Sequence, residues 1–344
     1  MKIQYASDLH MEFYDNSVFL SRGPFKVAGD VLVLAGDTFP LKEFDAYAQH
    51  RFFDWCADNF RETLLVPGNH EYYGDNLARY EISWELKIRD NVTMYQNRSV
   101  VIDDAEFILS TMWSNIPAKD SFKVRKGMSD FTLIRAALMP LSPIAYNAFH
   151  KRDLAFIKKA VAESKAEKKV VVTHHTPSRL LVAPEFQGSI LECGFTVDLT
   201  DYIETSGIDL WIYGHSHRSI DRLIGHTQVV SNQVGYFFYG ENLKNFSGDR
   251  YVDLDEEGFV PRNKGDVINL SNGSNGGVFL EKIAPESPWF KLSGDNYTRL
   301  VGDSPIEAFE PDGGPCVKIG DRLAGRIVKK ILVKEGDILV KLIK

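Results

Sequence analysis

Cysteine is scarce in this 344-residue chain: Cys56, Cys193 and Cys316 are too few and too scattered for a disulfide framework or a zinc-ribbon spacing. Reduced, partly buried thiols are expected instead. No stretch approaches the ~18 consecutive apolar residues that a membrane span requires. The chain opens directly on a strand that carries site residues, so no cleavable leader is expected ahead of it, and the expected location is the cytoplasm. Positive charge is also short. Lys and Arg number 40 against 47 Asp and Glu, a formal net charge of -7, which makes no field that would gather a phosphate backbone. A nuclease is thereby disfavoured, although metal ions could still supply positive charge locally. With 44% hydrophobic and 25% charged residues, neither disorder nor a fibrous class is indicated. The length allows one large domain and a small one.

What the sequence does contain is a set of short apolar runs that stop abruptly at Asp, Asn or His. Lys2 to Ser7 leads into Asp8-Leu9-His10, and Val31 to Ala35 into Gly36-Asp37. Leu64-Leu65-Val66 turns at Pro67-Gly68 and delivers Asn69-His70-Glu71. Lys169 to Thr173 leads into His174-His175, and Asp209 to Tyr213 into Gly214-His215-Ser216-His217. Continuous β-branched runs of this kind read as strands buried on both faces, whose carboxyl ends line one edge of a sheet. Five such ends carrying Asp, Asn and His make a metal site. Two divalent ions about 3.5–4 Å apart need one ligand that touches both; a carboxylate does so, while imidazoles and an amide fill the other positions. Asp37 is the expected bridge. Strand geometry points the adjacent His174 and His175 in opposite directions, so only one can easily ligate. His174 is preferred as the first residue after the run, with His175 as the alternative or as a partner behind the ligand.

These blocks, Asp8-x-His10, Gly36-Asp37, Gly68-Asn69-His70-Glu71, His174 and Gly214-His215-x-His217, resemble the calcineurin-like metallophosphoesterase superfamily, in its order. Ser110 to Trp113, Asp130 to Ile134, and Thr227 to Asn232 through Tyr236 are similar to a bacterial or phage-type branch. The likeness covers residues 1–245. It implies a four-layer αββα sandwich of two mixed sheets flanked by helices, and two divalent cations, Mn2+ favoured over Fe2+/Fe3+ or Zn2+. It also implies that Asp8, His10, Asp37 and His217 hold one cation, and Asp37, Asn69, His174 and His215 the other. His70 would face the leaving group as general acid rather than bind metal, and Glu71 would accept hydrogen bonds near the site.

The expected chemistry is hydrolysis of a phosphomonoester or phosphodiester by in-line attack of a hydroxide shared by the two metals. A small phosphodiester is slightly preferred. After Gly36-Asp37 the chain reads Thr38-Phe39-Pro40 and lacks the Asp-Arg-Gly continuation of the family's Ser/Thr protein phosphatases. The alternatives are a nuclease acting on nucleic-acid ends and a metal-stabilised scaffold that binds a partner without turnover.

Elsewhere, apolar spacing predicts helices over Glu43 to Arg61, Arg79 to Ile88 and Ala145 to Lys165, and a short one from Thr200. His50 and His150 read as structural. Three alternating segments between Val92 and Ser110 predict antiparallel pairing in a second sheet. The long stretch Trp113 to Pro143 reads as a cap facing substrate, where Lys119, Lys123, Arg125, Lys126 and Arg135 are more simply a solvated surface. From residue 246 to 344 a β-rich module is expected, with strands at Val317 to Ile319, Gly325 to Val333 and Asp337 to Ile343. Substrate, another protein or a second copy of the chain are its candidate partners.

Overall fold

Apolar runs can be buried on both faces only when each side of the sheet is covered, and the computed structural model shows how that is done. It describes residues 1–182, 186–225, 227–241 and 245–255, and beyond them the backbone of the strands given below. The chain divides into two compact units, Met1–Ile220 with Ile224–Leu254, and Asp221–Leu223 with Asp255–Lys344.

In chain order the strands up to residue 255 are β1 (Lys2–Ala6), β2 (Val31–Ala35), β3 (Glu62–Val66), β4 (Trp84–Arg89), β5 (Val92–Gln96), β6 (Arg98–Ile102) and β7 (Ala105–Leu109). There follow β8 (Arg135–Ala136), β9 (Met139–Pro140), β10 (Lys168–Val172), β11 (Leu210–Ile212), β12 (Asp221–Ile224), β13 (Thr227–Val230) and β14 (Tyr251–Asp253). The helices are α1 (Tyr14–Ser21), α2 (Phe44–Tyr47), α3 (Arg51–Asn59), α4 (Ser121–Gly127), α5 (Asp130–Leu133), α6 (Pro143–Glu163), α7 (Glu192–Phe195) and α8 (Thr200–Thr205). Apart from the β8/β9 hairpin, the strands form two six-stranded sheets, ordered β14-β1-β2-β3-β5-β4 and β12-β13-β11-β10-β7-β6. Both sheets are mixed. β1, β2, β3 and β5 run parallel with β14 and β4 antiparallel at the edges; β7, β10, β11 and β13 run parallel with β6 antiparallel.

The period of two along a strand divides each apolar run between two cores. Val31, Val33 and Ala35 of β2 pack between the sheets against Phe107, Leu109, Val170, Val172, Leu210 and Ile212. The alternate residues Leu32 and Leu34 join Phe52, Phe53 and Cys56 of α3 on the outside. On the far side, Val171 and Trp211 pack with Ile157 and Val161 of α6 and Ile203 of α8. Helix, sheet, sheet and helix therefore stack as four layers, as expected, and the parallel strands of each sheet end on a common edge.

Three expectations are corrected. The run Glu43 to Arg61 is not one helix. His50 adopts an extended backbone (φ -68, ψ 133), and its ring nitrogen accepts the Phe52 N–H at 3.2 Å, so α3 starts afresh at Arg51 with His50 as its cap. Arg79 to Ile88 is not helical: Trp84–Arg89 is β4, paired with β5. Its apolar residues Trp84, Leu86 and Ile88 lie two apart and share one face, a strand period that the surrounding aromatics obscured. Finally, β5 joins the first sheet beside β3, and only β6 and β7 belong to the second. Trp113 to Pro143 holds α4, α5 and the β8/β9 hairpin.

In the second unit, β15 (Val267–Asn269) pairs with β18 (Cys316–Lys318). A five-stranded sheet there consists of β16 (Val278–Lys282), β17 (Trp289–Gly294), β21 (Asp337–Ile343), β20 (Arg326–Lys334) and β19 (Arg322–Leu323), in that order. Pro184, the Ser271 to Gly277 turn, Ile319 and Gly325 lie outside the described residues.

The larger unit runs past residue 245 because β14 pairs with β1 through Lys2, Ile3 and Gln4, placing Val252 and Leu254 in the core between the sheets. Ending the chain after Asn245 is expected to destabilise this unit by about 3–6 kcal/mol, at about 1.5–3 kcal/mol per side chain lost. Ending it after Asp255 keeps the strand and its stability. Urea unfolding of the two shortened chains, compared with the full one, checks this.

Candidate metal centre

The strand ends converge, and their backbone is held in a conformation that ordinary residues avoid. Asp8 (φ 55), His10 (φ 47), Asp37 (φ 53), His215 (φ 71) and His217 (φ 49) are all left-handed, which costs of order 1 kcal/mol or more each and persists only where the surroundings enforce it. Close approach is enforced at two glycines. A Cβ on Gly36, itself at φ 89, would strike the His174 ring, and one on Gly68 would strike the Asp37 carboxylate.

Two groups of donor atoms result, each within 4.8 Å of one another: Asp8, His10 and His217, and Asp37, His174 and His215; a third group joins His10, Asp37 and His70. Asp37 lies between them. Its Oδ1 is 3.3 Å from His174 Nε2, while Oδ2 is 3.8 Å from His10 Nε2 and 4.0 Å from His70 Nε2. On the first side, His10 Nε2 and His217 Nε2 are 3.1 Å apart, and His217 Nε2 is 3.4 Å from Asp8 Oδ1. On the second, His174 Nε2 lies 3.0 Å from Asn69 Oδ1 and 3.1 Å from His215 Nδ1. All seven residues expected as ligands, Asp8, His10, Asp37, Asn69, His174, His215 and His217, are thus brought together. His175 is not; its Nε2 sits 3.0 Å from the Tyr146 hydroxyl.

Groups behind the site aim these atoms. His174 donates its Nδ1–H to the carbonyl of Ala35 at 2.9 Å, which turns Nε2 inward. Glu12 Oε1 lies 3.1 Å from His10 Nδ1 and 2.8 Å from His70 Nδ1, so one carboxylate holds both rings. Glu241 holds Nδ1 of His217. Asp130 accepts from the Asn69 amide at 2.9 Å and from the Tyr73 hydroxyl at 2.8 Å, leaving the Asn69 oxygen pointed at His174. Glu71 is fully buried and accepts the backbone N–H groups of Asp37, Thr38, Phe39 and Gly68. It ties the loop after β2 to the loop after β3. His70 stacks on Tyr73 with centroids 4.0 Å apart, donates its backbone N–H to Asp37 Oδ1, and has the Tyr236 hydroxyl 3.2 Å from Nε2. Sequence reasoning missed Glu12, Glu241 and Tyr73. Only Glu12 had a signal, the alternation Asp8-x-His10-x-Glu12.

The electrostatics follow from burial and crowding. Burial alone would raise Asp37, but the His174, His70 and His10 imidazoles hold it well below the usual carboxylate range. Burial opposes, yet Asp37 and Asp8 push His174 up to about 9, and Asp8 and Glu241 push His217 up to about 10. Burial and the neighbouring His175 and His174 rings keep His215 well below the ordinary value. Burial and the nearby Asp37 charge push Glu71 up to about 8, against the pull of its amide donors. The outer nitrogens of His10, His174 and His217 are held, while His215 Nε2 has no hydrogen-bond partner; the inward nitrogens and the Asn69 and Asp37 oxygens face one another as lone-pair donors at 3.0–3.3 Å. Without a proton or a cation between them they repel, and N and O donors of this type suit a divalent transition metal. The residues therefore fit metal ions.

Comparison with known proteins identifies the family. A model of the calcineurin-like phosphoesterase family matches residues 1–219. An uncharacterized protein of Acanthamoeba polyphaga mimivirus is 27% identical over 279 residues, covering 74% of this chain and 97% of that protein. The crystal structure of a phosphopantetheinyl hydrolase from Mycobacterium tuberculosis shares the fold, with a TM-score of 0.56 at 19% identity over 74% of this chain and 96% of that one. A dimetal phosphatase from Danio rerio aligns with a TM-score of 0.34 at 13% identity, over 68% of this chain and 87% of that one.

Two outcomes test the centre. Glu71→Gln puts an amide N–H among four N–H donors and is expected to cost about 1–3 kcal/mol in thermal or urea unfolding. The metal-free protein is expected to lose stability as pH rises. His174 and His217, raised to about 9 and about 10, contribute fully below the ordinary histidine value of about 6.5 and cease to do so as pH passes through their folded values. Melting temperatures between pH 6 and 10, with and without added Mn2+, check this; the metal should flatten the decline.

Proposed function

The chain belongs to the calcineurin-like phosphoesterase family and is a metal-dependent phosphoric ester hydrolase, and from this premise we propose that it cleaves a small phosphodiester with two divalent cations, Mn2+ favoured. Asp8, His10, Asp37 and His217 would hold one ion, and Asp37, Asn69, His174 and His215 the other. The observation that carries the reading is the Asp37 carboxylate, whose two oxygens face different groups of imidazoles. Bound there, two such ions supply charge neutralisation for phosphoryl oxygens and acidify a water.

The protein's own part is positioning and proton transfer. His70 Nδ1 is fixed by Glu12, so the ring presents Nε2 toward the cleft. Burial would lower its pKa, but Asp37 and Glu12 raise it above the ordinary histidine value. A protonated ring near neutral pH is what the departing alkoxide requires, and His70 is assigned as the donor. Catalysis is assigned to residues 1–245 with β14 completing their first sheet; residues 246–344 supply none of these side chains.

Hydrolysis of bis(p-nitrophenyl) phosphate and p-nitrophenyl phosphate with added Mn2+ tests the proposal. Activity is expected to vanish with a chelator and in Asp37→Ala; equal rates in Asp37→Ala and wild type on every ester would overturn it. His70→Asn is expected to lower kcat by about 10²–10⁴-fold on an alkyl ester, and by much less when p-nitrophenolate, which leaves without a proton, is released.

A further inference from the structure

The cleft over the clustered imidazoles has two unlike ends. It encloses about 640 Å3, the size of a site for a small organic molecule. At one end stand Asp37, Asn69, His70, His215 and His217; the other is walled by Met128, Val182, Phe186, Leu191 and Phe195. The ends meet at Phe195, whose ring stacks on that of His215 with centroids 4.8 Å apart and 29° between planes. The wall is packed from behind. A Cβ on Gly194 would strike the Met128 sulfur, and one on Gly127 would strike the Leu191 side chain, so the C-terminal end of α4 is pressed against α7 and the turn before it. At the wall's outer edge Phe186 remains 50% exposed.

Charge along the cleft points the same way. Among the described residues that line it, Arg218 is the one Lys or Arg, against Asp37, Asp130, Glu192 and Glu241, and Glu192 is itself paired with Arg179 at 2.8 Å. A nucleic acid or a polyphosphate tail needs several cations along its path. An uncharged chain or ring needs none and gains from each apolar contact.

We propose that the phosphoester this enzyme cleaves carries an uncharged, largely apolar organic group, which lies along Met128, Val182, Phe186, Leu191 and Phe195 while the phosphate sits among the imidazoles. This rests on the phosphoesterase reading above and names its substrate class.

The test uses n-alkylphosphonates from methyl to hexyl, titrated calorimetrically into the full-length, Mn2+-loaded protein. The dissociation constant is expected to fall by about three- to fourfold per added methylene over the first carbons. Leu191→Ser and Phe186→Ser should each flatten that dependence, and Leu191→Met should keep it. Should the serine variants misfold, the wild-type series alone decides. A constant affinity from methyl to hexyl, while p-nitrophenyl esters are still turned over, overturns the apolar-group inference and leaves the phosphoesterase reading standing. Tighter binding of adenosine 5′-monophosphate than of hexylphosphonate overturns it too. Absence of both turnover and phosphonate binding removes the underlying reading, and the inference with it.

Discussion

One buried carboxylate sets the terms for everything around it. Asp37 is 1% exposed, accepts a hydrogen bond from the backbone of His70, and faces His10 and His70 with one oxygen and His174 with the other. A charge taken out of water at that cost must be compensated. The imidazoles can do so as cations, or they can stay neutral and share metal ions with it; either way positive charge is concentrated where the sheets end. The four-layer fold serves this constraint. Parallel strands anchored in two cores bring five loops to one edge, and the cores are rigid enough to enforce the left-handed turns at Asp8, His10, Asp37, His215 and His217.

Glu71 shows how those turns are held. Its four backbone donors come from two loops that are distant in sequence, Asp37 to Phe39 and Gly68. The stretch Thr38-Phe39 gives its amides to Glu71 and buries the Phe39 ring against Tyr47 and Phe53. The loop after β2 is thus an anchor for Asp37.

Much of this was legible in the sequence, for a physical reason. Strands buried on both faces have no polar residues until they end, so Val31 to Ala35 followed by Gly36-Asp37 announces both a strand and the site at its tip. The αββα layering was what the family resemblance implied, and both six-stranded sheets are there. Legibility failed where two periods overlapped: Trp84, Leu86 and Ile88 form a strand face, but the flanking Tyr80 and Ile82 also fit a helix, and only pairing with β5 decides. It failed at His50, because a ring nitrogen that caps a helix leaves no spacing signal. Glu12, Glu241 and Tyr73 were missed because their roles depend on which loops meet. Glu241 is 24 residues from the histidine it holds, and nothing in the sequence between them marks the pairing.

The residues that were missed share a function that the visible ones cannot perform for themselves. A hydrogen bond to one imidazole nitrogen fixes which nitrogen turns its lone pair inward. Ala35 O does this for His174, Glu12 for His10 and Glu241 for His217. Glu12 does more, since the same oxygen also holds His70. The carboxylate that fixes a proposed metal ligand therefore also fixes the group assigned to protonate the leaving oxygen, and any movement of the loop after β1 displaces both together. Placing the acid on the same support as the ligand keeps the proton donor in register with the phosphate that the metals would hold, where a small misplacement is costly. The apolar wall at the other end of the cleft then has only to choose which ester arrives there.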